Sequence, residues 1–67
     1  MIANFYKITD SIKVKPLLAS KNISCIPKKG EYVMLSGQCF RVFKVIFDID
    51  KCEYNLYLMR AWLLSNT

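Results

Sequence analysis

Histidine is absent from this 67-residue chain, and only five residues are acidic. Without an imidazole the usual proton shuttle near neutral pH is missing, and no serine or cysteine triad built on histidine can be assembled. The carboxylates Asp10, Glu31, Asp48, Asp50 and Glu53 are sparse. Asp48, Asp50 and Glu53 cluster where a turn is expected, but that stretch lacks the ligand density and the glycine of an EF-hand loop, so it reads as a solvated turn. Cysteine is limited to Cys25, Cys39 and Cys52, with no CxxC pair. Three widely spaced thiols without histidine match no usual zinc pattern and cannot pair fully within one chain. They read as reduced thiols, acting as small hydrophobes or half-buried side chains, in a cytosolic setting. The two glycines, Gly30 and Gly37, do not form a phosphate loop, because Lys28-Lys29-Gly30 lacks the glycine spacing and the following Lys-Ser or Lys-Thr. The expectation is therefore a protein that is not an enzyme and holds neither cofactor nor metal.

Long apolar runs are also missing. No stretch approaches the roughly 18 residues of a membrane span, and Met1 to Lys7 lacks the charged region and apolar stretch of a signal peptide. The implied location is cytoplasmic, with no membrane partner. At this length a second domain is excluded, and residues 1–67 are read as one small β-barrel domain. No repeat, linker or low-complexity tract interrupts it.

What the chain does have is apolar and basic. Hydrophobic residues make up 54% of it, with four Phe, four Tyr and one Trp, enough large side chains to argue against disorder. Ten Lys and Arg against five acids give a net charge of +5. Such an excess favours anionic partners, nucleic acid or an acidic protein surface, and it equally serves to keep a small apolar protein soluble.

The coarse grammar is strand, turn, strand. Ile26-Pro27-Lys28-Lys29-Gly30 is a turn signal that leads into the pleat-suited run Glu31 to Leu35. Ser36-Gly37-Gln38 then makes a three-residue connection suited to a tight hairpin, because Gly37 tolerates a positive φ. Cys39 to Phe47 reads as a long strand whose alternation slips once: Phe40 and Val42 fit one phase, Val45 and Phe47 the other. An extra residue near Phe43 or Lys44, a bulge, accounts for the slip. Asp48 to Lys51 forms a turn, and Cys52 to Leu58 resumes period two with Tyr54, Leu56 and Leu58 on one face, pairing antiparallel with the preceding strand. Met59 to Leu64 lacks strict alternation and fits either a helical turn or a short closing strand. Near the start, Asn4 to Ile8 and Ile12 to Lys15 resemble short strands around Asp10-Ser11, with a short helix over Leu17 to Ser20 as a competitor.

Pro27, Gly30-Glu31, Val33, Gly37, Phe40, Val42, Val45 and the alternating Tyr54, Leu56 and Leu58 together resemble the small Src-homology-3-like barrels, including those of translation, chromatin and bacteriophage proteins. The resemblance covers residues 26–59. It implies a mainly β fold, an antiparallel barrel of about five short strands, preceded by a long N-terminal segment and closed by a helical turn or strand at the C-terminus. Barrels of this type bind peptides, proteins, RNA and DNA, so the resemblance leaves the partner open.

If Val33, Leu35, Phe40, Val42, Tyr54, Leu56 and Leu58 point inward, then Tyr32, Met34, Arg41, Lys44, Asn55 and Tyr57 point outward on adjacent strands, with Lys28 and Lys29 in the turn beside them. Rings next to cations suit a single-stranded nucleic acid, whose bases stack on Tyr32 and Tyr57 while Arg41, Lys44, Lys28 and Lys29 meet phosphates. The same composition suits a protein interface. In the bland alternative the rings pack under the N-terminal segment and the lysines are solvated. Two functions follow: a binding module for nucleic acid or a nucleic-acid-associated protein, or a small adaptor or inhibitor, of the kind encoded by phages and mobile elements, that occludes an acidic host protein. Self-association through an open sheet edge is compatible with both.

Overall fold

The computed structural model describes residues 1–8 and 16–61, and among them there is no helix. Five strands, β1 (Ile2–Lys7), β2 (Leu17–Asn22), β3 (Tyr32–Leu35), β4 (Gln38–Asp48) and β5 (Glu53–Arg60), form one sheet in the order β2-β1-β5-β4-β3. The three C-terminal strands make an antiparallel meander, and β1 pairs antiparallel with β2. Strand β1 lies parallel to β5, with Ala3 beside Tyr54 and Phe5 beside Leu56. The sheet is thus mixed, which corrects the all-antiparallel expectation. Parallel neighbours need a long connection, and here β1 and β5 are separated by most of the chain.

The concave face is built by the period-two positions of four strands. Ala3, Phe5, Phe40, Val42, Leu56 and Leu58 are buried, and Val33, Leu35, Val45 and Tyr54 pack against them. All seven residues expected to point inward belong to this cluster. Ile23 and Ile26, from the segment joining β2 to β3, add a partial lid.

Two extra residues curl the sheet. In β4 the pairing passes from Val42 opposite Leu58 directly to Lys44 opposite Tyr57, so Phe43 is the bulged residue. This is where the alternation slips in the sequence. In β2 the pairing steps from Ala19 opposite Phe5 to Leu17 opposite Tyr6, leaving Leu18 extra. Bulges bend a strand and increase its twist, and the result is a half-barrel. Its two edges approach each other, since Leu18 of β2 shares a cleft of about 140 Å³ with Leu35, Ser36, Gln38 and Phe40 of the opposite hairpin.

The turns follow from local chemistry. Leu35 pairs with Gln38, so the β3–β4 connection is two residues and not three. Ser36 and Gly37 both have positive φ (53° and 77°), the requirement of a type I′ turn. At the β4–β5 turn Asp48 Oδ1 accepts from the backbone N–H groups of Asp50 and Lys51 at 3.1 and 3.2 Å, an Asx-type closure. Cys52 leaves that turn at φ 54°.

The helix considered over Leu17 to Ser20 is a strand instead. A four-residue helical segment is far below the roughly 12 residues an isolated helix needs, whereas the free edge of β1 offers a ladder of backbone partners. Met59 and Arg60 continue β5. The expected strand over Ile12 to Lys15 and the C-terminal turn from Trp62 onward lie outside the described residues. Cys25, Cys39 and Cys52 are unpaired; Cys25 and Cys52 are exposed, against the expectation of half-buried side chains, and Cys39 is half-buried. Among the described residues no helix is long and apolar enough to cross a membrane.

Candidate binding face

The convex face of the sheet is ordered in rows that follow from strand register. At the hairpin end Met34 lies beside Cys39; next come Tyr32, Arg41 and Met59; then Lys44, Tyr57 and Tyr6; then Ile46, Asn55, Asn4 and Ser20; and last Asp48, Glu53, Ile2 and Asn22. Six of the residues expected on an outward face, Tyr32, Met34, Arg41, Lys44, Asn55 and Tyr57, therefore share this surface. Their functions within it differ.

Arg41 and Tyr32 form a pair across β3 and β4, with the guanidinium carbon 5.9 Å from the ring centroid. A cation over an aromatic face at this distance is attracted by the ring quadrupole. The guanidinium also lies 4.0 Å from where a Cβ on Gly30 would stand. Gly30 has φ +90°, a conformation L side chains rarely adopt, which lets the loop turn beneath Arg41. Two backbone bonds clamp that loop to β4: Gly30 N–H to Val42 O and Val42 N–H to Glu31 O, each 2.8 Å.

This clamping separates the two loop lysines. Lys29, with Gly30, Arg41, Val42, Phe43 and Met59, lines a cleft of about 310 Å³ beside the β4 bulge. Lys28 is exposed but is not among the cleft-lining residues, and its backbone is engaged with Glu31, accepting from its N–H at 3.0 Å and donating to its carboxylate at 2.6 Å.

Tyr57 is half-buried and stacks on Tyr6, with centroids 5.4 Å apart and planes 20° from parallel. This ring packs against one from an N-terminal strand while facing the convex side. Asn55 is likewise committed. The Asn4 side-chain amide donates to Asn55 Oδ1 at 3.0 Å and to Glu53 Oε1 at 2.8 Å, and Asn4 Oδ1 accepts from Ser20 Oγ at 2.7 Å. This ladder bridges β2, β1 and β5 and occupies the oxygen of Asn55 that a partner would otherwise meet.

Charge is distributed unevenly along the face. Arg41 and Lys44 belong to the rows near the hairpin with Lys29 in the loop beside them, whereas Asp48 and Glu53 close the other end with Asp50 in the adjoining turn. Lys51 in that turn and the Met1 ammonium, which donates to Asn22 Oδ1 at 2.8 Å, offset those carboxylates, so the hairpin end is the more basic of the two.

Tyr6, Phe43 and Met59 are among the residues of the convex side that fall outside the set expected from sequence. Tyr6 is recoverable from the alternation with Ala3 and Phe5. Phe43 sits at the phase slip itself, and bulges often re-aim a side chain; it is half exposed, at 51%. Among the described residues no group of three or more histidines, cysteines or carboxylates is arranged to hold a metal ion. No protein-family model, curated protein or solved structure matches the chain.

Proposed function

We propose that this chain is a non-catalytic macromolecular binding module whose basic convex face contacts single-stranded nucleic acid. The observation that carries the reading is the adjacency of two rows, Tyr32–Arg41–Met59 and Lys44–Tyr57–Tyr6, which sets rings and cations side by side on neighbouring strands. Backbone phosphates interact with the cations and sequence-tolerant stacking uses the rings, which is how sheet surfaces hold single strands. The polar ladder around Asn4 ties the adjoining row together, and the one charge in it, the Glu53 carboxylate, accepts from the Asn4 amide. The resemblance of residues 26–59 to Src-homology-3-like barrels is compatible with this reading and neutral between partners.

Fluorescence anisotropy with labelled single- and double-stranded oligonucleotides over a salt series tests it. For single strands the logarithm of affinity should fall against log salt with a slope of roughly −0.7 per phosphate neutralised, so about −3 if Lys28, Lys29, Arg41 and Lys44 all engage. No binding at low salt ends the proposal.

A second reading is favoured by one observation: the same face exposes Met34 at 69% and Tyr32 at 55%, with Ile46 and Met59 also exposed. Tyr, Met and Arg are enriched in protein interfaces. In that reading the chain is a small adaptor or inhibitor, of phage or mobile-element type, that covers an acidic surface of a host protein. A pull-down from nuclease-treated lysate separates the two, since retention of one stoichiometric protein partner favours occlusion and loss of every protein partner counts against it.

A further inference from the structure

The bulge in β4 creates a feature that the rows of the convex face do not explain. Phe43 is an insertion in the ladder: Val42 and Lys44 take consecutive partners on β5, and Phe43 has none. An apolar ring left half exposed in the middle of an eleven-residue strand costs solvation that burial would recover. Its neighbours are unusual too. Phe43 and Met59 contribute apolar surface to the cleft, and Lys29 and Arg41 are the cationic residues that line it.

The Arg41 side chain and the backbone that carries Lys29 are held in place by structure that does not depend on a ligand. Arg41 is flanked by the Tyr32 ring and by the bare Cα of Gly30, and the loop carrying Lys29 is fastened to β4 through Gly30 and Glu31. A cleft that pairs an apolar wall with fixed cations selects for a ligand in which a flat apolar group is covalently joined, over a short distance, to an anion. A mononucleotide unit has both. An acidic peptide supplies both only where an aromatic residue stands beside a carboxylate, whereas every nucleotide of a strand carries the pair.

We infer that the cleft formed by Lys29, Gly30, Arg41, Phe43 and Met59 holds one unstacked nucleotide of a single strand, its base against Phe43 and Met59 and its phosphate between Lys29 and Arg41. This rests on the reading of the convex face as a nucleic-acid surface and specifies where the strand is gripped. It also fixes a path. Lys44 follows Phe43 in β4 and pairs with Tyr57, which in turn stacks on Tyr6. The next nucleotide therefore continues across the strands, from the cleft towards β1, and away from Asp48 and Glu53.

The test uses the full chain and an oligothymidylate in which 5-iodouracil replaces thymine, irradiated and mapped by mass spectrometry, alongside anisotropy on variants. Phe43 should be the principal cross-linked residue. Phe43→Ala should weaken binding roughly 5- to 160-fold, the range of one base–aromatic stack. Lys29→Ala and Arg41→Ala should each flatten the salt slope by about 0.7, and Arg41→Lys should preserve the slope while lowering affinity. Because Phe43 is half exposed, Phe43→Ala keeps the fold, which an unchanged pattern of protected backbone amides verifies; a changed pattern moves the test to Phe43→Leu, which keeps apolar bulk and loses the ring.

The outcomes separate the face from the cleft within it. If the unaltered chain binds no oligonucleotide, the face reading fails and the cleft assignment with it. If it binds but cross-links at Tyr6 or Tyr57, with Phe43→Ala and Phe43→Leu silent, the face stands and the cleft assignment is overturned. If Arg41→Ala weakens binding and the Phe43 variants do not, the cleft is an anion rim with no base site, the result an acidic peptide partner would also give, and the assignment again fails.

Discussion

Tyr57 stacks on Tyr6 across the parallel pairing of β5 with β1, and this contact joins the C-terminal meander to the N-terminal hairpin on the convex side. On the concave side the same two strands are joined by Phe5 and Leu56. Strand β1 is therefore fixed through both of its faces, and the position of Tyr57 beside Lys44 depends on it.

A double-mutant cycle on Tyr6→Leu and Tyr57→Leu should show a coupling of about 0.5–1.5 kcal/mol in urea unfolding, the usual range for a stacked aromatic pair beyond area burial. Tyr57→Leu alone should cost more than the coupling, because it also gives up apolar contact of a half-buried ring. Strictly additive costs would mean the two rings meet without mutual stabilisation.

Asn4 is the polar residue among the buried side chains, at 9% exposure, and its amide is met on both sides by partners from β5 and β2. Truncation leaves Ser20, Asn55 and Glu53 without their shared partner in a half-buried setting. Asn4→Ala should lower stability by about 1–3 kcal/mol. Asn4→Asp should be worse at neutral pH, since it replaces a donor facing Glu53 with a second carboxylate. A urea midpoint for Asn4→Asp at or above that of the unaltered chain would refute the arrangement.

The hairpin tip offers a prediction of opposite signs from adjacent residues. Gly37 occupies a left-handed conformation that costs an L residue about 1–2 kcal/mol, so Gly37→Ala should destabilise by that amount. Ser36 already bears such a cost at φ 53°, and Ser36→Asn, which creates the preferred Asn-Gly pair of a type I′ turn, should raise the urea midpoint. Thermal or urea unfolding of both variants checks the signs, and a stabilising Gly37→Ala would contradict the turn type.

How far the fold can be read before folding depends on which interactions specify it. The meander is legible because its strands alternate over enough residues to show a phase: Phe40 and Val42 against Val45 and Phe47 reveal the bulge, and Tyr54, Leu56 and Leu58 reveal the inner face of β5. Strand β1 shows only Ala3 and Phe5, and such a short alternation carries no information on whether its neighbour runs parallel. Strand β2 is less legible still, because Leu17-Leu18-Ala19-Ser20 suits a helix locally and becomes a strand only through the open edge of β1. The convex face is legible as a set of residue types and not as a set of roles. Asn55 reads as a surface amide until Asn4 is placed opposite it, and the choice between Phe43 and Lys44 as the extra residue is open until the ladder is seen to skip Phe43. Both depend on register, which the turns and the tertiary pairings decide together.

That skip supports the sharpest test of the fold. Removing Phe43 leaves Val42, Lys44, Val45, Ile46 and Phe47 in one uninterrupted alternation, with every partner on β5 unchanged. The deletion variant should therefore fold with the same inward set and the same hydrogen-bonded pairs, but with a flatter β4, a looser concave core and a lower urea midpoint, since the bulge contributes to the curl. Removing Ile46 instead shifts Phe47 into the outward phase and puts Asp48 opposite Tyr54, and this variant should lose cooperative unfolding. Amide exchange and urea denaturation of the two deletions, one residue each and three positions apart, distinguish a strand that merely contains an extra residue from one whose register depends on it. Equal damage from both would show that Phe43 is integral to the ladder and not inserted in it.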